Sequence, residues 1–184
     1  SSDLKPHQPI GFENIEITPL SISHDATSPL AFVVNDTVSK LVYMTDTGYV
    51  SKKNMGFIEN AHYYIIESNH DIDMLMNSAR PIYLKKRILS DVGHLSNDYS
   101  ARLMCKVLGD QTRDIVLAHL SQEANTPELA MDCYCKVFEY SQINIENYNI
   151  KIASQVEVVS GGDTIENQDR QYWQDQREVL VGGD

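Results

Sequence analysis

Three residues are best placed to do chemistry: His24 in SISHDA, Asp46 in YMTDTG and His119 in LAHLSQ. Each closes an apolar, strand-like run. Imidazole is the commonest metal ligand near neutral pH. A carboxylate before a glycine turn has two oxygens that point apart, so it can bridge two cations. Strand ends that meet at one edge of a sheet are where such groups gather. Alone, each residue also fits a blander role. His24 can be a hydrogen-bonded structural histidine, Asp46 can cap the Thr47-Gly48 turn, and His119 can donate to a backbone carbonyl. Their like placement after three separate strands points instead to a shared metal and to metal-assisted hydrolysis.

Two more histidines sit in similar punctuation, His70 in ESNHD and His94 in GHLSN. His94 precedes a helix opening at Ser96 and Asn97, whose unpaired N–H groups suit an anion such as phosphate. A histidine there can hand a proton to a leaving oxygen, or simply contact the helix end. Asn69 or Asp71 caps the helix after ESNH, and His70 would then line the site.

The elements that must position these residues are legible from periodicity. ENIEITPLSIS (14–23) alternates as a strand. PLAFVV (29–34) and KLVYMT (40–45) flank a hairpin turn at NDTVS. HYYIIES (62–68) and DIVLAHLS (114–121) are continuous apolar runs, which predicts strands covered on both faces. YNIKIA (148–153) alternates again. Helices fall between them. In 71–79 the expected buried stripe is Ile72, Leu75, Met76 and Ala79. In 96–109 it is Ala101, Met104, Cys105 and Leu108, with Ser96 as cap and Gly109 as stop. In 126–142 it is Ala130, Cys133, Val137 and Phe138, with Thr126 as cap and Pro127 at the first position. SKKNMGFIENA (51–61) is a weaker helix because Gly56 interrupts it. Strands first, then strand and helix alternating, predict an α/β (α+β, mixed sheet) domain over 1–160. From 161 to 184 the chain reads as a polar acidic tail that Tyr172 and Trp173 could dock.

A chain of 184 residues with 42% hydrophobic content supports one domain with a core. No apolar run approaches the ~20 residues of a membrane span, and a cytoplasmic location is expected. Three cysteines without framework spacing argue against a disulfide scaffold. A net charge of −11 is a poor match to a broad basic nucleic-acid-binding face. The exception is ARPIYLKKR, where Arg80, Lys85, Lys86 and Arg87 either form a solvated edge or steer a substrate strand.

ISHDA, TDTGYV, ESNHDIDML, GHLSN and HLSQEANTPELA, in this order, resemble the metallo-β-lactamase superfamily. The likeness is to its bacterial YycJ/WalJ-like branch, distantly related to RNase Z-type nucleases, and runs from about Gly11 to Gln155. The resemblance implies an αββα sandwich with a two-metal site (zinc or manganese) between the sheets. His24 would complete the first metal's shell, Asp46 would bridge both metals, and His119 would serve the second. His94 would stand near the scissile phosphate. Substrate-side residues would be Asn69, His70, Ser96, Asn97, Lys85, Lys86 and Arg87. The implied activity is phosphodiester hydrolysis, as a DNA exonuclease using a hydroxide activated by two metals, with DNA favoured over RNA and no membrane partner.

The superfamily's His-x-His-x-Asp-His signature does not occur in residues 1–184. The expectation is therefore the C-terminal portion of a longer enzyme, supplying only part of the metal site. A second copy or a missing N-terminal half would have to cover the apolar surface left open. Two other readings stay open: a non-catalytic association domain that binds no metal, and hydrolysis of a small ester or thioester on the same fold.

Overall fold

A computed structural model describes residues 4–154 and 156–162. The expected tail, with Tyr172 and Trp173, lies almost wholly outside the described residues. Seven strands form one mixed sheet in sequence order: β1 (Ile10–Phe12), β2 (Ile15–Ser21), β3 (Leu30–Asn35), β4 (Lys40–Met44), β5 (Tyr63–Glu67), β6 (Asp114–Ala118) and β7 (Asn149–Ile152). The first four pair antiparallel, and β4 through β7 run parallel. Hence β2, β4, β5 and β6 all point the same way, and their carboxyl ends share one edge.

Five helices connect the later strands: α1 (Lys52–Ile58), α2 (Ile72–Asn77), α3 (Ile82–Ile88), α4 (Asn97–Val107) and α5 (Pro127–Tyr140). Side-chain caps start four of them. Ser51 accepts from the N–H of Asn54, Asp71 from Met74, Ser96 from Tyr99 and Thr126 from Leu129. Each bond satisfies a helix-end donor that has no partner within the helix. The Ser51 cap sustains α1 despite Gly56.

One sheet face is buried against α1, α4 and α5. Val42, Tyr64 and Ile115 stand in register on it, packed with Ile58, Ala101, Met104, Ala130 and Phe138. Fully burying side chains of this size is worth roughly 1.5–3 kcal/mol each. The opposite face carries Phe32, Tyr43, Ile65 and Val116 in register across β3 to β6, and none of these is buried. So the continuous runs of β5 and β6 are covered on one face and only half-covered on the other, contrary to the expectation. Of the expected four-layer sandwich, the described residues supply one sheet with its helices. No described helix is long and apolar enough to cross a membrane.

All three helical stripes differ from expectation; in α4, Leu103 and Val107 are buried, and Cys105 and Leu108 only partly so. In α2 only Leu75 is buried, while Ile72 and Met76 are exposed. In α5 the stripe is Ala130, Tyr134, Val137 and Phe138, with Cys133 only partly buried. The basic stretch ARPIYLKKR holds a helix, α3, that its sequence did not announce.

Candidate metal centre

The shared carboxyl edge gathers the chemistry. His24 follows β2, Asp46 follows β4, Glu67 ends β5 and His119 follows β6. His94 arrives from the loop between α3 and α4. Asp46 and His119 leave their strands in the left-handed conformation, with φ of 57° and 58°. That turn costs a non-glycine residue roughly 1–2 kcal/mol. It breaks the strand's two-residue alternation just where the side chain meets the pocket. Strain of this kind concentrates at functional sites.

Two glycines let the loops close. A Cβ on Gly48 would stand 2.2 Å from the Asp91 carbonyl oxygen, and one on Gly93 would stand 2.2 Å from that of Ile88. Only the bare backbone lets the turn after β4 and the loop bearing His94 approach so nearly.

Glu67 is the hub. Its carboxylate is fully buried. Oε1 accepts from His94 Nδ1 at 2.8 Å and from His119 Nδ1 at 2.7 Å. Oε2 accepts from the N–H of Thr47 at 3.0 Å and of Leu95 at 3.2 Å. Burial alone would raise this carboxyl's pKa. The hydrogen bonds from His119 and His94, the charge of His94 and the Thr47 N–H outweigh burial and hold it at about 2. The Glu67 hydrogen bond in turn raises the pKa of His119, against the pull of burial.

A carboxylate can only accept, so Nδ1 of both His94 and His119 must carry hydrogen. His24 Nδ1 lies 3.2 Å from the Gly93 carbonyl oxygen and donates likewise. All three rings thus have Nδ1 tied. They stand side by side, with ring centroids 5.1 Å apart for His24 and His94 and 5.2 Å apart for His94 and His119. Asp46 Oδ1 lies 3.9 Å from His24 Nε2 and 3.7 Å from His119 Nδ1. Asp46, Glu67, His94 and His119 each offer a ligand-type atom within 4.8 Å of the others. Glu67 has its four acceptor positions filled, so it orients its neighbours, as carboxylates behind metal-binding histidines do. Asp46 and His119 belong to that cluster, and His24 stands beside it with Nε2 3.9 Å from Asp46 Oδ1.

The expected residues divide clearly. His24, Asp46, Asn69, Arg87, His94 and His119 line one open pocket of about 570 Å³. Asn69 Nδ2 donates to the His119 carbonyl at 2.8 Å. Lys85 does not fit a substrate role: it is 9% exposed, and its ammonium donates to the carbonyls of Met76 and Ser78 at the end of α2. Asn97 is buried in a network with Ser68 and Asn125. Ser96 caps α4. His70 is 1% exposed, and neither ring nitrogen has a hydrogen-bond partner. Burial lowers its pKa to about 4, with His94 and Arg80 adding to the effect and Glu67 and Asp71 opposing it. Lys86 is exposed but stands outside the pocket wall. Glu67 escaped the sequence reading, because a glutamate closing an apolar strand looks like a solvated end. The clue was its place on a strand between two others that end in Asp46 and His119.

No family model matches the chain. Over 128 residues it is 43% identical to the exodeoxyribonuclease YycJ of Bacillus anthracis, covering 70% of this chain and 48% of that protein. Over 119 residues it is 45% identical to the exodeoxyribonuclease WalJ of Streptococcus pneumoniae serotype 2, covering 65% and 44%. Among solved structures, the metallo-β-lactamase fold protein YhfI of Bacillus subtilis superposes with a TM-score of 0.57 at 20% identity, over 85% of this chain and 54% of that one. The chain is similar in sequence to the exodeoxyribonucleases YycJ and WalJ, and its sheet has the metallo-β-lactamase fold. It spans about half the length of the curated relatives it matches.

Proposed function

We propose that this chain contributes to a metal-dependent phosphodiesterase that cleaves nucleic acid, as an exonuclease acting on DNA. The observation that carries the reading is the common setting of His24, His94 and His119. Each has Nδ1 hydrogen-bonded, His24 Nε2 lies within ion-pair reach of Asp25 and Asp46, and Asp46 stands among the three over one open pocket. The names of the YycJ and WalJ relatives support DNA as the substrate.

His24, Asp46 and His119 would hold divalent metal, zinc or manganese, with Asp46 shared if two ions bind. Divalent metal there supplies Lewis-acid polarisation of a phosphate and a lowered pKa for bound water. The protein's own residues do the rest. Glu67 fixes the tautomer of His94 and His119 through their Nδ1 hydrogen bonds. Protonated at Nε2, His94 can pass that proton to a leaving oxygen at the pocket. Asn69 holds the His119 backbone in place through its carbonyl. Cleavage of a labelled DNA oligonucleotide with manganese or zinc tests the reading. Asp46→Ala is expected to abolish it, and cleavage unchanged in that variant would remove the mechanism.

A second reading, an association domain, draws on the uncovered row Phe32, Tyr43, Ile65 and Val116. Such a surface suits a partner as well as a second sheet. Metal uptake separates the two readings, because association alone requires none.

A further inference from the structure

Two ion pairs bracket the candidate metal centre. Arg80 Nε donates to Glu123 Oε2 at 2.8 Å, and the guanidinium of Arg87 pairs with Asp25. All four residues line the pocket that holds His24, Asp46, His94 and His119. Arg80 precedes the Pro81 cap of α3, and Arg87 lies in its last turn, seven residues on. They reach to different walls. Asp25 follows His24 in the β2–β3 connection, and Glu123 stands four residues after His119 in the β6–α5 connection. Each carboxylate that neutralises an arginine therefore comes from the segment that carries a candidate metal ligand.

Neither pair is locked into the fold. One partner of each pair is open to water, Arg87 at 60% and Glu123 at 68% exposed, while Asp25 and Arg80 are 30% and 24% exposed. Pairs with one partner so open to water contribute little to stability. A guanidinium fork accepts a phosphate in the same two-pronged geometry as a carboxylate. The lysines between them do not compete for this role, since Lys85 is buried and Lys86 is off the wall.

We propose that Arg80 and Arg87 form a two-point phosphate clamp for a nucleic-acid strand. Asp25 and Glu123 hold the two guanidinium groups in place until phosphates on either side of the scissile one displace them. The clamp deepens the nuclease reading and rests on it for the identity of the strand. It also lets a chain of net charge −11 grip a polyanion locally, without a broad basic face. Displacement frees Asp25, next to His24, when substrate arrives.

The test is binding of a fluorescein-labelled single-stranded oligodeoxynucleotide, followed by anisotropy over a series of KCl concentrations with chelator present, so that cleavage plays no part. Each phosphate contact on a single strand adds about 0.7 to the slope of log affinity against log salt. Arg80→Gln and Arg87→Gln should each lower that slope by about 0.7, and the double variant by about 1.4. Arg87→Lys, which keeps the charge, should retain the slope. Asp25→Asn and Glu123→Gln should tighten binding, because the fork no longer has a rival. Arg102→Gln and Asp98→Asn, which alter an exposed pair on α4 outside the pocket, should change neither. The clamp is overturned if the unaltered chain does not bind the oligonucleotide, if the two glutamine variants leave the slope intact, if Arg102→Gln lowers it equally, or if Asp25→Asn weakens binding. Metal-dependent cleavage and its loss in Asp46→Ala are read separately, so the nuclease reading can survive a failed clamp, and the reverse.

Discussion

Replacing Glu67 with glutamine is the sharpest perturbation of this site. The side chain keeps its shape but trades one acceptor oxygen for an NH2 donor. The N–H groups of Thr47 and Leu95 can only donate, so the remaining oxygen must face them. The amide NH2 is then aimed at Nδ1 of His94 and His119, 2.8 and 2.7 Å away from the present oxygen. Both rings must become acceptors at Nδ1 and carry hydrogen on Nε2. The lone pair that would bind metal is lost from His119, and the protonated form of His94 loses its counter-charge. Outer carboxylates of this kind are worth 10- to 100-fold in metal affinity, or about 1.4–2.7 kcal/mol. The fold also loses hydrogen bonds to a charged group, each worth roughly 1.5–3 kcal/mol. Nitrogen-15 spectra of the histidine rings report the tautomers directly. Two rings should move from the Nδ1–H to the Nε2–H form in Glu67→Gln. If both stay Nδ1–H in a folded variant, Glu67 does not set their tautomer and the reasoning fails.

His70 makes the fold acid-sensitive. Its pKa in the folded state, about 4, lies below the ordinary 6.5, so the native state holds the neutral ring. That stability is complete above pH 6.5 and is lost as the pH falls toward 4, by roughly 3 kcal/mol at 1.36 kcal/mol per unit. Urea unfolding at pH 7 and pH 4 should show this loss, and His70→Phe should remove it; an equal pH dependence in both proteins contradicts it. Gly93→Ala should cost about 1–3 kcal/mol, because its methyl meets the Ile88 carbonyl at 2.2 Å. It should also displace His24 from the Gly93 carbonyl. Thermal melting and the His24 ring shifts check both effects.

Much of this was legible in the sequence. His24, Asp46 and His119 stood out because a polar residue closing an apolar run has few reasons to be there, and three parallel strand ends bring them together. Ser96, Thr126 and Pro127 announced their helices through local capping chemistry. What stayed hidden depended on tertiary contacts. α3 has no apolar stripe, since Ile82 and Tyr83 are exposed and only Lys85 and Ile88 are buried. Lys85 looked like a surface charge, yet the carbonyls at the end of α2 draw it inward. Glu67 is invisible as a hub until β5 is seen between β4 and β6. The pairing of Arg80 with Glu123 and Arg87 with Asp25 spans 43 and 62 residues, far beyond any local signal.

The central claim, that His24, Asp46 and His119 share a divalent cation, is tested most directly by titrating the 184-residue chain with cobalt(II) and following its visible absorption. Saturable uptake is expected, with a histidine-carboxylate spectrum that weakens in Glu67→Gln and disappears in Asp46→Ala. An unaltered chain that shows no saturable cobalt spectrum, or an Asp46→Ala variant that binds as the parent does, would contradict it.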